Sequence, residues 1–252
     1  MISLSRLIAV ELFKLRRTLA LFVALILPGV IALLYALMMV QRGKGIIGPP
    51  QQAWDALFHA NLSGWTMLGL TLFVALEAAL VVGIEHQHGG WKRLFAAPVD
   101  ARRVLAAKAM VVFGLVLASL VALWTWTLVF GNIIAIAVPT LQFPPGAPGR
   151  DSLALLAKVA VASPLIVALH VAIATRWSSI AVSLGSGIVA MIGLVIAASS
   201  KWMRFYPWFF PVSAGQATAE RQLPVATYGV AAVLAVFVVV VAARRWSRRD
   251  VP

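Results

Sequence analysis

With 62% hydrophobic and 12% charged residues, the 252-residue chain is too apolar for a soluble domain, where about a quarter of residues are charged, and reads as an integral membrane protein. The net charge of +13 would suit nucleic acid in a soluble chain, but here the cations gather at the ends of apolar runs, which marks orientation in a bilayer and implies no nucleic-acid partner. Absence of cysteine excludes disulfides, thiolate metal sites and cysteine nucleophiles.

In residues 3–17, Leu4, Leu7, Ile8, Leu12 and Leu15 fall on one helical face, with Ser3 or Ser5 as cap. This spacing predicts an interfacial helix leading into the membrane. Glu11 and Lys14 lie one turn apart, an exposed pair contributing a few tenths of a kcal/mol. The first span is expected over about 18–40, kinked at Pro28 and Gly29. Its apolar run exceeds a signal-peptide core, so no cleavable signal is expected.

Glycines and prolines between 41 and 61 predict an external loop, with Trp54 and Trp65 marking an interface. The second span, about 62–84, contains Glu77, whose carboxylate costs roughly 2–3 kcal/mol at that depth and must face a partner, a cavity or another helix. Neutralisation by a basic residue and a role in binding a cation or proton both fit.

The run Glu85–Lys108 is the long polar interruption of the first half. Trp91, Leu94 and Phe95 recur at i, i+3, i+4 beside Lys92 and Arg93, which predicts a short amphipathic helix at the membrane surface, ended by Pro98. Asp100 is placed to cap the following helix. Glu85, His86 and His88 lack the i, i+4 histidine pair of a zinc helix and read as polar residues ending a span.

The third span is expected over about 109–130, followed by a proline- and glycine-rich external loop. A fourth, about 153–175, carries Pro164 and His170, the latter reading as an interhelical hydrogen-bonding residue. The short turn at Arg176–Ser178 makes the fifth span, about 180–198, its antiparallel neighbour, with Gly185, Gly187 and Gly193 permitting close approach. Residues 200–224 are rich in aromatics and broken by proline, fitting an interfacial or re-entrant hairpin. The sixth span, about 225–243, ends in arginines suited to anionic lipid. Fourteen of the 21 basic residues fall on the N-terminal side of the membrane, which puts both termini in the cytoplasm.

In combination, the opening ELFKLRR at Glu11–Arg17, the segment WKRLFAAPVDARRVLAAK ending at Lys108, and PWFFP at Pro207–Pro211 resemble bacterial type-2 ATP-binding cassette (ABC-2) permeases. The likeness is to the branch of lantibiotic and bacitracin self-protection exporters, over essentially the whole chain. It implies an all-α polytopic membrane protein, a single permease domain over 1–252, with six transmembrane helices, working as a dimer with a second permease copy in the bacterial cytoplasmic membrane. A separate ATPase subunit would bind ATP and Mg, this chain binding no cofactor; no G-x-x-x-x-G-K-[ST] phosphate loop occurs in it. By matched position, Glu11, Lys14 and Arg17 would belong to an N-terminal elbow helix. Glu85, Trp91, Lys92, Arg93 and Leu94 would form a cytoplasmic coupling helix. An extracellular re-entrant hairpin with Tyr206, Pro207, Trp208 and Pro211 would cap the exit path. The expected function is export of a hydrophobic or amphiphilic substrate. An intramembrane metalloprotease-like enzyme using Glu77, Glu85, His86 and His170, and a non-transporting assembly or sensing subunit, are the competing classes.

Overall fold

The apolar runs form helices throughout a computed structural model that describes residues 3–16, 18–43, 52–86, 90, 99–197, 200–216 and 222–247. Helix α1 (Leu4–Leu15) starts at Ser3, whose hydroxyl accepts the Arg6 N–H. Then come α2 (Ala20–Arg42), α3 (Ala53–Gly64), and a π-helical turn (Trp65–Gly69) that runs straight into α4 (Leu70–His86). Helix α5 (Ala101–Ala137) is capped by Asp100, which accepts the Arg102 N–H at 2.8 Å as its sequence position predicts. The chain continues through α6 (Arg150–Ala162), α7 (Pro164–Arg176), α8 (Ile180–Ala197), α9 (Phe209–Ala214) and α10 (Val225–Ser247).

Five helical stretches are long and apolar enough to cross a bilayer: α2, α3 with α4, α5, α8 and α10. Helices α6 and α7, bent by 42° at Ser163, supply a sixth if taken as one broken span. The protein is thus an all-α polytopic membrane protein. Helix α5 packs along α1, α2 and α10, while α4 packs along α7 and α8, so α4 and α5 form the middle of the bundle. Their facing residues, including Phe73, Val82, Leu105 and Val112, are fully or almost fully buried, whereas α2, α8 and α10 leave apolar faces outward toward lipid.

Three expectations are corrected. Much of the predicted loop 41–61 is helix α3, because Leu57, Phe58 and Leu62 bury one face of it in the bundle. Trp54 and Trp65 are core residues at 7% and 0% exposure, not interface markers; the Trp54 indole donates to the Pro144 carbonyl at 3.0 Å and packs edge-on against Phe143. The third span is not confined to 109–130: α5 has 37 residues, about 55 Å at 1.5 Å per residue, and overruns a hydrocarbon core of about 30 Å at both ends.

Proline 28 lies inside α2 and cannot donate to Ala24. The next carbonyl, Leu25, accepts the Trp126 indole N–H at 2.9 Å, and Gly29 leaves room for that ring. The indole of Trp124 donates to Ser152 Oγ at 3.0 Å. Both tryptophans therefore carry helix-to-helix hydrogen bonds.

Candidate functional site

Among the described residues, the buried charged side chains are Glu11, Glu77, Glu85 and Lys108. Three of the four meet where the last turns of α1 lie against the end of α4 and the start of α5, joined by Lys14. The Lys14 ammonium donates to Glu11 Oε1 at 2.8 Å and to Glu85 Oε1 at 2.6 Å. The Lys108 ammonium donates to Glu11 Oε2 at 2.8 Å, to Glu85 Oε2 at 2.5 Å and to the Val81 carbonyl at 3.1 Å. Two carboxylates and two ammoniums thus alternate around a closed ring, each carboxylate bridging both cations.

Each member arrives by a different element. One turn of α1 brings Glu11 and Lys14 to the same face. Glu85 is in the last turn of α4, the first acid after an apolar run, and Lys108 is two turns into α5, the last cation before one. The first and last residues of the 85–108 stretch therefore pair with each other, and α1 is fastened across the junction. A Cβ added at Gly90 would lie 2.8 Å from Glu85 Cα, an approach that favours glycine there. His86 closes the same end by donating from Nε2 to the Ala174 carbonyl of α7 at 2.9 Å.

The Glu11–Lys14 pair is thus no isolated surface contact, as expected from sequence, but half of a buried network. The Lys108 side chain has 0% exposure and that of Lys14 28%. Burial disfavours charge on Lys14, yet hydrogen bonds from Glu11 and Glu85 and their negative charge outweigh it, holding the ammonium above its usual pKa of 10.5. Such a ring is weak evidence of net stability, because desolvation offsets attraction; removing one member is different, since it strands a buried charge.

A second polar cluster joins residues 200–216 to the bundle. The Trp208 indole can only donate, and it donates to His170 Nε2 at 3.1 Å, so His170 carries its proton on Nδ1. That nitrogen faces Ser186 Oγ at 3.5 Å, and Ser186 donates to the Ser183 carbonyl at 2.6 Å. The chain of donors runs from Trp208 through α7 to α8. Tyr206 donates to the Ala190 carbonyl of α8 at 2.8 Å, about two turns before the helix ends, in space left by Gly193. Pro207 accepts the Phe210 N–H, and Pro211 sits in the first turn of α9, where a missing N–H costs no helical bond. His170 is thus the interhelical hydrogen-bonding residue its sequence context suggests.

Glu77 is fully buried, and neither carboxylate oxygen has a hydrogen-bond partner among the described residues. The cation that was one expectation for it is not there: the lysines at this end of α1 and α5 pair with Glu11 and Glu85 instead. Arg17, Trp91, Lys92, Arg93, Leu94 and His88 lie outside the described residues. Sequence reasoning counted Lys108 only as an inner-side cation and missed it as a site residue. The available signal was its position, mirroring Glu85 at the boundary of the facing apolar run.

Among the described residues no group of three histidines or carboxylates is placed to hold a metal ion. No curated protein and no solved structure matched the chain. A family model described as "ABC-2 family transporter protein" matches residues 7–197, which include most of α1 and the helices through α8 and so all four residues of the ionic ring. With three quarters of its length matched, a multi-pass helical bundle and no ATP-binding motif, this chain belongs to the ABC-2 transporter family as a membrane permease.

Proposed function

We propose that this chain is the permease subunit of an ATP-driven exporter in a bacterial cytoplasmic membrane, with both termini cytoplasmic. The observation that carries the reading is the Glu11–Lys14–Glu85–Lys108 ring, which gathers α1 and both flanks of the 85–108 segment into one charged unit. In this reading α1 is the elbow helix and Trp91, Lys92, Arg93 and Leu94 form the coupling helix against a separate ATPase subunit that holds ATP and Mg. Closure of two ATPase subunits displaces the coupling helices. The ring passes that displacement to α1, α4 and α5 together, shifting the balance between membrane-domain states that bind substrate differently.

A second permease copy completes the transporter. The spans offer few polar contacts, which favours a hydrophobic or amphiphilic substrate such as a peptide antibiotic, a drug or a lipid-like molecule, as in lantibiotic and bacitracin self-protection. The segment holding Tyr206, Pro207, Trp208 and Pro211 acts as a re-entrant cap over the extracellular exit. Its contacts with His170 and Ala190, well inside α7 and α8, support that role.

The test is co-purification with the ATP-binding subunit. Replacing Trp91, Lys92, Arg93 and Leu94 by alanine is expected to abolish docking and ATP-dependent transport while leaving the permease folded. Retained docking and transport would refute the assignment of this segment.

A further inference from the structure

A groove of about 560 Å³ runs between α5, α7 and α10 on the membrane-facing side of the bundle. Its wall is almost wholly apolar, with Met110 and Phe113 on one side, Val236 and Val240 on the other, and Pro164 at its far end. Pro164 opens α7 immediately after the 42° bend, so the break in the fourth crossing forms the head of the groove. Its mouth is charged: Arg102 and Arg103, from the first turn of α5, stand there beside Leu4 of α1. Asp100 is close by, accepting the Arg102 backbone N–H.

Dimensions identify the occupant. From Arg102 to Phe113 the helix rises about 17 Å, close to the roughly 15 Å of hydrocarbon in one leaflet. An apolar slot about one leaflet long, with Arg102 and Arg103 at one end and Pro164 in its lining, fits a lipid with an anionic phosphate head, which arginine recognises by paired N–H donors. We infer that this groove is a binding site for an anionic phospholipid of the inner leaflet, with an acyl chain along Met110, Phe113 and Val236 and the phosphate at Arg102 and Arg103. The same lipid touches α1 through Leu4 and sits within two turns of Lys108, so it ties α1 to α5 beside the ionic ring. The site does not depend on the ATPase partner and exists in the isolated permease.

Native mass spectrometry of the full-length purified chain, titrated with dioleoyl phosphatidylglycerol or dioleoyl phosphatidylcholine, tests this. The attraction of one arginine for an anionic headgroup corresponds to roughly fivefold preferential retention of phosphatidylglycerol. Arg102→Gln with Arg103→Gln is expected to remove the preference, and Arg102→Lys with Arg103→Lys to keep most of it. Ala106→Phe with Ala232→Phe, which fills the groove and leaves both arginines, is expected to lower retention of both lipids. This last pair decides the matter if the glutamine variant does not fold. Equal retention of the two lipids by the unaltered chain, or a preference that survives the glutamine substitutions, would overturn the inference. So would efficient disulfide cross-linking of Met110→Cys between two copies in membranes, because a second copy would then occupy the groove.

Discussion

Lys108→Met isolates the ionic ring. Methionine fills most of the lysine's volume but removes the charge, leaving Glu11 and Glu85 to share Lys14 alone. One carboxylate is then uncompensated at a site where the glutamate side chains are only 7% and 4% exposed. Stranding a buried charge in this way costs about 3–5 kcal/mol. At about 2–4 °C per kcal/mol for a chain of this size, the midpoint of thermal unfolding in detergent should fall by roughly 6–20 °C. The effect should be partly reversed by Glu85→Gln in the same chain, which removes the stranded charge, and the double-mutant cycle should show a coupling of about 0.5–3 kcal/mol. Midpoints read by dye-free fluorescence on the two single variants and the double variant suffice. A fall of less than 3 °C for Lys108→Met, or strictly additive effects of the two substitutions, would refute the description of these residues as one interdependent buried network.

Gly187→Val should destabilise the protein by about 1–3 kcal/mol, because an added Cβ lies 2.8 Å from that of Ala75 on α4, whereas Gly185→Val faces open space and should leave the unfolding midpoint unchanged. Glu77→Leu should raise the midpoint by an amount equivalent to roughly 2 kcal/mol, since it removes a buried carboxylate without a partner; a lower midpoint would show that Glu77 is paired in the assembled transporter. Lys14 has a folded pKa above its unfolded value of 10.5, so its contribution to stability is complete below pH 10.5 and disappears as pH rises through the folded value. Unfolding midpoints from pH 8 to 11.5 should therefore drop more steeply at the alkaline end for the unaltered chain than for Lys14→Met.

Membrane class and most helix positions were legible because they depend on local pattern alone: apolar runs of spanning length, the Asp100 cap and the proline- and glycine-rich connection before α6. What failed depended on partners distant in the chain. Tryptophan suits a membrane interface or a core whose polar atom finds a mate, and the mate of Trp54 is a carbonyl 90 residues away. Only the Glu11–Lys14 edge of the ionic ring is a local spacing; its other edges cross 71, 97 and 23 residues. Three glycines of one span looked equivalent, yet Gly187 meets α4 and Gly193 meets Tyr206 while Gly185 meets nothing within 4 Å. A one-dimensional pattern places a residue on a helix but does not say which neighbour that face will meet.

Cysteine-free sequence makes site-directed spin labelling direct, and Val10 on α1, Val121 on α5 and Val189 on α8 all point outward. The decisive measurement is the distance between label pairs in the permease assembled with its ATP-binding subunit, with and without Mg-ATP. If the ring joins α1 and α5 into one moving body, the Val10–Val121 distance stays constant within about 2 Å, the amplitude of local helix shifts, while Val10–Val189 changes. A Val10–Val121 distance that itself shifts with ATP in the unaltered ring would contradict the account.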